Sequence, residues 1–427
     1  MILPKHLISI RKKHDLSQEE FAVKLGVSSA LIRSLEDGFD KATPEFVAKL
    51  RNAFNLNGIP LTDDEKKLFY GELHNLRFLI DYGLLDSAAE VIPSLTRRAK
   101  ASCYMSFINL SDIFTAYYHF SINSFEACEK AMAALHERRQ SFDIRHHYYY
   151  NILVGMQAYK ARDYDKALEA YIKAEELDKN AQLREAGFYH MYGMILSEMG
   201  YTARAISYHK KAVHHAKWNK GYHGKPNTRY DVGIDSYLAY NLSKIGQKDE
   251  AFEILNKRLE TVKTRGTGKE IGLIHHSLGK VHLRIGDYSE AIANFETAFR
   301  YLPKDSKLSN TNLYYKALAL ITGGREKEGI VYVDEGLNIS TDDILKVRLE
   351  ALKHSIALHD YKSILYMKNT IMPKLLEYGL YEEALKYYKA ISDFYAEDGN
   401  DELALVYLGR AYAIIERFCE NRVEKGL

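Results

Sequence analysis

The 427-residue chain balances 59 Lys and Arg against 57 Asp and Glu, a net charge of +2, with 46% hydrophobic residues and only 7 Pro. This is the composition of a soluble protein with a large buried interior, and it excludes a global basic field drawing the molecule onto nucleic acid or membrane. Cys103, Cys128 and Cys419 form no CxxC pair, there is no signal-peptide core, and no apolar run approaches membrane-spanning length, so a reducing cytoplasm is expected.

Helical signals begin at once. Leu3, Leu7, Ile8 and Ile10 form one apolar stripe, followed by the basic edge Arg11 to His14. Ser17, with Glu20 three residues on, reads as a capping box opening a second helix that buries Phe21, Ala22 and Leu25 and stops at Gly26. Ser28 caps a third helix with Leu31, Ile32 and Leu35 inward and Gly38 closing it. Thr43-Pro44 opens a fourth, whose apolar face is Phe46, Val47, Leu50 and Phe54. Two short helices joined by a tight Gly-containing turn make a helix-turn-helix, whose second helix enters the major groove with polar residues near its N-terminus. Ser28, Ser29, Ala30, Arg33 and Ser34 occupy that outward face. Arg33 is the one obvious bidentate reader of guanine among them, and the small residues beside it leave room for a shape-read component. The first domain is thus 1–60.

Gly58 and Pro60 break the pattern, and Thr62 with Glu65 reads as a further capping box opening a second domain, 62–427. Here a small residue is followed twelve positions later by another: Thr115 and Ala127, Gly155 and Ala167, Gly193 and Ala205, Ala239 and Ala251, Gly279 and Ala291, Ala317 and Gly329, Ser392 and Ala404. A third small residue often follows seven later, as at Ala134, Ala174, Ala212 and Ala298, and a glycine often stands five before the second, as at Gly83, Gly200, Gly286 and Gly399. Antiparallel helices approach closely only where side chains are small, so the period predicts stacked helix pairs, about nine of them. Near Ile364 the pattern weakens, and Gly379 with Ala384 offers a competing register, so the boundaries over 345–395 stay open.

Positions three before and one after the first small residue share a helix face and are expected to line a concave groove. They are His190 and Met194, Ser236 and Tyr240, His276 and Lys280, and Tyr314 and Leu318, with Tyr237 and Ser277 flanking. Mixed aromatic, polar and cationic groups suit an extended peptide. The pairs His146-His147 and His214-His215 lack metal-site spacing, Arg265 to Glu270 lacks the parts of a phosphate loop, and Asn219 to Tyr230 reads as a long basic connector. No nucleophile or acid–base constellation is found. Neither an enzyme, nor a cofactor, nor a bound metal is expected.

Leu16 to Gly38, "LSQEEFAVKLGVSSALIRSLEDG", closely resembles the Cro/C1-type helix-turn-helix family at Leu16, Ser17, Gln18, Phe21, Ala22, Leu25, Gly26, Val27, Ile32, Leu35, Glu36 and Gly38. The resemblance implies that Gln18 touches DNA backbone or a flanking base, while Ser29, Ala30 and either Arg33 or Ser34 face base edges. His275 to Asp305 and Tyr149 to Asn180 resemble the tetratricopeptide repeat. The fold class is therefore all-α, a helix-turn-helix domain followed by a right-handed tetratricopeptide-repeat superhelix. Together the two parts resemble the RRNPP family of Gram-positive quorum-sensing receptors, most like its neutral-protease regulator type. That resemblance implies a cytoplasmic homodimer or higher homo-oligomer on a palindromic duplex operator, rearranged when a short signalling peptide enters the groove. Family grooves often hold the peptide backbone with asparagines, but Asn151, Asn241 and Asn312 fall just off the derived face. The alternative is a regulator that sequesters a phosphorelay response regulator, with DNA binding secondary.

Overall fold

A computed structural model describes residues 4–54, 63–102, 104–180, 182–218, 228–304, 306–358 and 360–424. The break at Gly58 and Pro60, the capping box of Thr62 and Glu65, Cys103, and most of the connector Asn219 to Tyr230 lie outside the described residues. The chain forms two compact units: Met1–Gln157 with Glu169–Arg184, and Ala158–Leu168 with Glu185–Leu427. No described helix is long and apolar enough to cross a membrane.

In the first unit, α1 (Pro4–Lys13), α2 (Gln18–Leu25), α3 (Ser29–Asp37) and α4 (Pro44–Phe54) close around one core. Leu7, Ile10, Phe21, Ala22, Leu25, Ile32, Leu35, Phe46, Val47, Leu50 and Phe54 fill it. Both arms of the Ser17 capping box form: the Glu20 N–H donates to Ser17 Oγ at 3.2 Å and the Ser17 N–H to Glu20 Oε2 at 2.7 Å. Gly26 ends α2 with φ +60°. Lys49 on α4 donates to the Gly26 carbonyl at 3.3 Å, fixing the turn between α2 and α3.

Helix hairpins follow: α5 (Asp63–Asp81) with α6 (Leu85–Ser102), α7 (Met105–Ser121) with α8 (Phe125–Glu137), and α9 (Ile144–Lys160) with α10 (Tyr164–Leu177), the last divided between the units. The α7/α8 hairpin corrects the expected register by one residue. Ala116 and Cys128 are fully buried, with Leu135 seven further on, in place of Thr115, Ala127 and Ala134. The cause is the turn: Asn123 takes φ +60° where six of the other hairpins have glycine, and its short polar side chain tolerates that region.

The second unit continues with α11 (Ala186–Glu198) and α12 (Thr202–Trp218), α13 (Thr228–Lys244) and α14 (Lys248–Arg265), α15 (Gly268–Arg284) and α16 (Tyr288–Tyr301), and α17 (Lys307–Thr322) and α18 (Glu326–Ile339). Within the segment Arg265 to Glu270, only Gly266 and Thr267 connect α14 to α15, with the Thr267 N–H donating to Glu270 Oε2 at 2.6 Å at the start of α15. Close packing is visible at Gly279, where an added Cβ would stand 2.6 Å from the fully buried Phe295 ring. Gly193 meets the His209 ring likewise, at 2.7 Å.

The open stretch resolves into two hairpins. α19 (Asp343–Ser355) pairs with a helix made of α20 (Tyr361–Tyr366), a π-turn (Met367–Ile371) and α21 (Met372–Glu377). Pro373 stands two residues after the end of the π-turn; a proline ring clashes with the carbonyl four residues back, here that of Asn369 within the turn, and the wider turn moves that carbonyl aside. Then α22 (Tyr381–Glu397) pairs with α23 (Asp401–Glu424), so both competing registers are used. Gly379 and Gly399 turn with φ +66° and +75°, Ala384 and Ile391 are fully buried, and Ser392 Oγ donates to the Ala404 carbonyl at 2.8 Å. The described residues from α5 to α23 thus form nine hairpins.

Candidate functional site

On the helix-turn-helix, the outward face is narrower than its sequence suggests. Glu36, 6% exposed, accepts from Arg11 Nε and Nη2 at 2.7 and 2.9 Å and from Gln18 Nε2 at 2.8 Å. Burial would raise the Glu36 carboxyl, but the hydrogen bonds from Arg11 and Gln18 outweigh it and hold the group below its ordinary value. Gln18 therefore has an internal task, tying the start of α2 to the end of α3. Ser34 is half-buried and donates to Asp40 Oδ2 at 2.7 Å, while Ser28 Oγ accepts the Leu31 N–H at 3.2 Å as the cap of α3. Ser29, Ala30 and Arg33 stand exposed on the first two turns of α3.

The second unit brings Tyr240 and Lys280 together as expected. Lys280 Nζ lies 4.1 Å from the centre of the Tyr240 ring and 5.1 Å from that of Tyr315, within cation–π range. Ser236 and Ser277 bond to each other across adjacent hairpins, Oγ to Oγ at 2.8 Å.

Other expected groove residues are packed into its walls. His190 Nδ1 lies 3.5 Å from His209 Nδ1, and its ring packs edge-on against Tyr237; burial lowers its pKa to about 4. Tyr237 is engaged by His190, His209 and the hydroxyl of Tyr159, and burial raises its pKa. His276 is 7% exposed and 2.9 Å from Asn312 Oδ1. The Asn312 amide donates to the Phe295 carbonyl at 2.8 Å, which leaves its oxygen for His276, so the Nδ1 of that ring carries the proton. Burial takes His276 down to about 4. Tyr314 is buried beneath Arg348, 4.3 Å from ring centre to guanidinium, and burial pushes it up to about 12. His190, His276 and Tyr314 hold hairpins together, because histidine and tyrosine satisfy polar partners inside a tight helix stack.

One row was missed. Glu198, Lys244 and Arg284 stand five residues after Gly193, Ala239 and Gly279, one helical turn beyond Tyr240 and Lys280. Extending the small-residue ruler by that turn finds them. Lys244 Nζ is 2.9 Å from Glu382 Oε1, and Arg348 Nη2 is 2.6 Å from Glu383 Oε1, so the first turn of α22 closes upon α13 and α19. Glu198 touches water yet has protein around it at longer range, as on the wall of a narrow cleft. Desolvation raises its pKa against the pull of Lys280, Arg162 and Lys244. It also borders a cavity of about 420 Å³ lined with Arg162, Tyr164, Tyr381, Tyr388 and Arg410. The asparagines are spent within the fold. Asn151 donates to the His147 carbonyl at 2.8 Å; Asn241 accepts from Ser197 and donates to the Tyr237 carbonyl, and it is fully buried, as is Asn312. Among the described residues, no three His, Cys, Asp or Glu side chains could jointly hold a metal ion.

Comparison with known proteins agrees with both parts. A helix-turn-helix family model matches residues 7–58, and a tetratricopeptide-repeat model matches 186–213 and 274–305. The transcriptional activator NprA of Geobacillus stearothermophilus is 21% identical over 326 residues, covering 71% of this chain and 77% of that protein. Among solved structures, a Rap protein complexed with competence and sporulation factor superimposes with a TM-score of 0.69 at 15% identity, over 83% of this chain and 99% of that one. The apo quorum sensor NprR from B. thuringiensis gives 0.63 at 15% identity, over 83% and 100%. NprR in complex with its cognate peptide NprX gives 0.60 at 16%, over 84% and 99%. With a helix-turn-helix at its N-terminus, tetratricopeptide hairpins after it, and NprA among its relatives, the chain is similar to the RRNPP family of Gram-positive peptide-responsive regulators, most like the neutral-protease regulator type.

Proposed function

We propose that this protein is a cytoplasmic transcriptional regulator whose helix-turn-helix reads a palindromic operator as a homodimer or higher oligomer, and whose second unit binds a short signalling peptide that changes this grip. The observation that carries the reading is the presence, on one chain, of an exposed Ser29–Ala30–Arg33 face and a groove where Lys280 and Glu198 have no ion-pair partner among the described residues. NprR is a quorum sensor solved with its cognate peptide, and NprA is a transcriptional activator, which supports the same pairing of tasks here. A peptide that prefers one arrangement of the hairpins shifts the population toward it by its differential affinity. Dimer half-sites are set a helical turn or a multiple apart, so any change in domain spacing alters affinity steeply.

The test is selection of duplexes from a randomised pool by full-length protein, followed by titration with synthetic peptides and measurement of oligomer size. A palindromic site whose affinity moves with peptide supports the reading; a chain that enriches no duplex sinks it. A second reading, in which the protein sequesters a phosphorelay response regulator, is separated by the same experiment; copurification of one without peptide, and without any selected duplex, would choose it.

A further inference from the structure

The segment Arg265 to Lys269 is not a phosphate loop, since Glu270 fills the start of α15 by accepting from Thr267. Its cations are still to be explained. Each connector between hairpins runs from the end of a second helix to the start of the next first helix, so those joining α14 to α15 and α16 to α17 fall on one edge of the second unit. The two are neighbours: a Cβ added at Gly268 would stand 3.5 Å from the Tyr301 ring. Arg265 and Lys269 flank Gly268 in sequence, and Arg300 and Lys304 flank Tyr301. All four are exposed, Tyr301 is 44% exposed, and none of the four cations has an ion-pair partner among the described residues. Lys263 and Lys307 beside them are paired with Glu260 and Asp342. Helix electrostatics accounts for half of the cluster. Arg265 ends α14 and Arg300 lies in the last turn of α16, where a cation is favoured. Lys269 stands in the first turn of α15 and Lys304 three residues before α17, where a cation is disfavoured. At the opposite edge the first turns of α14, α16 and α18 carry acids instead, Asp249 and Glu250, Glu290, and Glu326 and Glu328. Cations gathered against the helix field point to an anion outside the chain.

We infer that this edge of the second unit grips the phosphate backbone of duplex DNA, without regard to sequence. The inference rests on the DNA-binding reading above and adds to it a second, non-specific contact. The helix-turn-helix module needs one. Residues 1–54 carry nine Lys and Arg against seven Asp and Glu, and Arg11 is spent on Glu36. Salt-dependent affinity for DNA comes from neutralised phosphates, so a module this nearly neutral holds its site weakly by itself. A duplex offers a phosphate about every 3.4 Å along each strand, so cations spread over two connectors meet phosphates in any register. The exposed Tyr301 hydroxyl can donate to a phosphate oxygen beside them.

The experiment uses full-length protein, the operator selected from the randomised pool, and the same operator extended on each side by about two helical turns of unrelated sequence. Affinities are read by anisotropy over a series of salt concentrations. Wild type should bind the extended duplex about tenfold or more tightly at low salt, with a steeper salt dependence. The fourfold variant Arg265→Gln, Lys269→Gln, Arg300→Gln and Lys304→Gln should lose that gain. Its slope of log K against log[salt] should fall by about 0.9 for each phosphate no longer neutralised. Its preference for operator over scrambled duplex should stand, because the base contacts are untouched. The exchanged variant Arg265→Lys, Lys269→Arg, Arg300→Lys and Lys304→Arg should behave as wild type, which separates charge from fold. Equal slopes and equal affinities in wild type and the fourfold variant would overturn the inference and leave operator binding intact. A polyglutamate peptide bound by wild type and not by the fourfold variant, with DNA binding the same in both, would also overturn it and assign the edge to an acidic protein. If wild type enriches no duplex, the DNA-binding reading fails and takes the inference with it.

Discussion

At Gly279 the space left for a side chain is smaller than a methyl group needs. Its added Cβ would stand 2.6 Å from a fully buried phenylalanine ring that has nowhere to move. Alanine is favoured over glycine by about 1 kcal/mol within a helix, but overpacking a tight core costs about 1–3 kcal/mol, so the clash wins. Gly279→Ala should therefore lower the denaturant midpoint of the second unit; a raised midpoint would mean the hairpins are looser than they look. This position was plain in the sequence because Gly279 and Ala291 fall on the twelve-residue period of small residues. The Thr115 position was not: threonine and alanine are both small, and only the αL turn at Asn123 shows which neighbour faces inward. On the DNA side, Arg33→Ala should reduce discrimination at its base pair by about 1–3 kcal/mol with little change in salt dependence, since a lost base contact removes specificity rather than phosphate neutralisation. Anisotropy titrations over single-base operator variants at several salt concentrations would decide it, and an unaltered preference would clear Arg33 of the role.

Between elements, buried polar groups decide what the sequence could only suggest. Gln18 fits the helix-turn-helix pattern, and the pattern implies a DNA contact. In the fold, its amide joins Arg11 on the Glu36 carboxylate, linking α1, α2 and α3. A polar residue at a helix start looks alike in both roles until its neighbour's burial is known. Glu36→Ala leaves Arg11 and Gln18 without their shared acceptor and should destabilise the four-helix module by about 1.5–3 kcal/mol. Hydrogen exchange confined to α1–α4 would report it even if the repeat hairpins are unaffected. The wall histidines give a pH signature. His276 is held neutral down to about 4, whereas an unfolded histidine titrates near 6.5, so the unfolded chain binds the extra proton between those values. Stability from this group is complete above about pH 6.5 and is lost as pH falls toward 4, up to about 3 kcal/mol in all. A urea midpoint that stays level across that range would show His276 to be more open than described.

Across the second unit, the ion pair of longest sequence separation among the described residues is Lys244 and Glu382, 138 positions apart. The hairpins themselves were legible because a period of small residues is a local signal. This clasp was not, since a lysine and a glutamate so far apart carry no mark of partnership until the stack brings them together. Glu382→Gln should weaken the hold of α22 on α13, seen as faster amide exchange at the start of α22 and a changed peptide affinity; identical exchange would make the clasp ornamental. The π-turn at Met367–Ile371 bears on the history of the array. One residue added to a straight helix swings everything beyond it by roughly 100° and would turn core side chains toward water. A wide turn takes up such a residue where it enters, so a repeat protein carrying one can vary in length by a single codon while every later hairpin still fits the one before it.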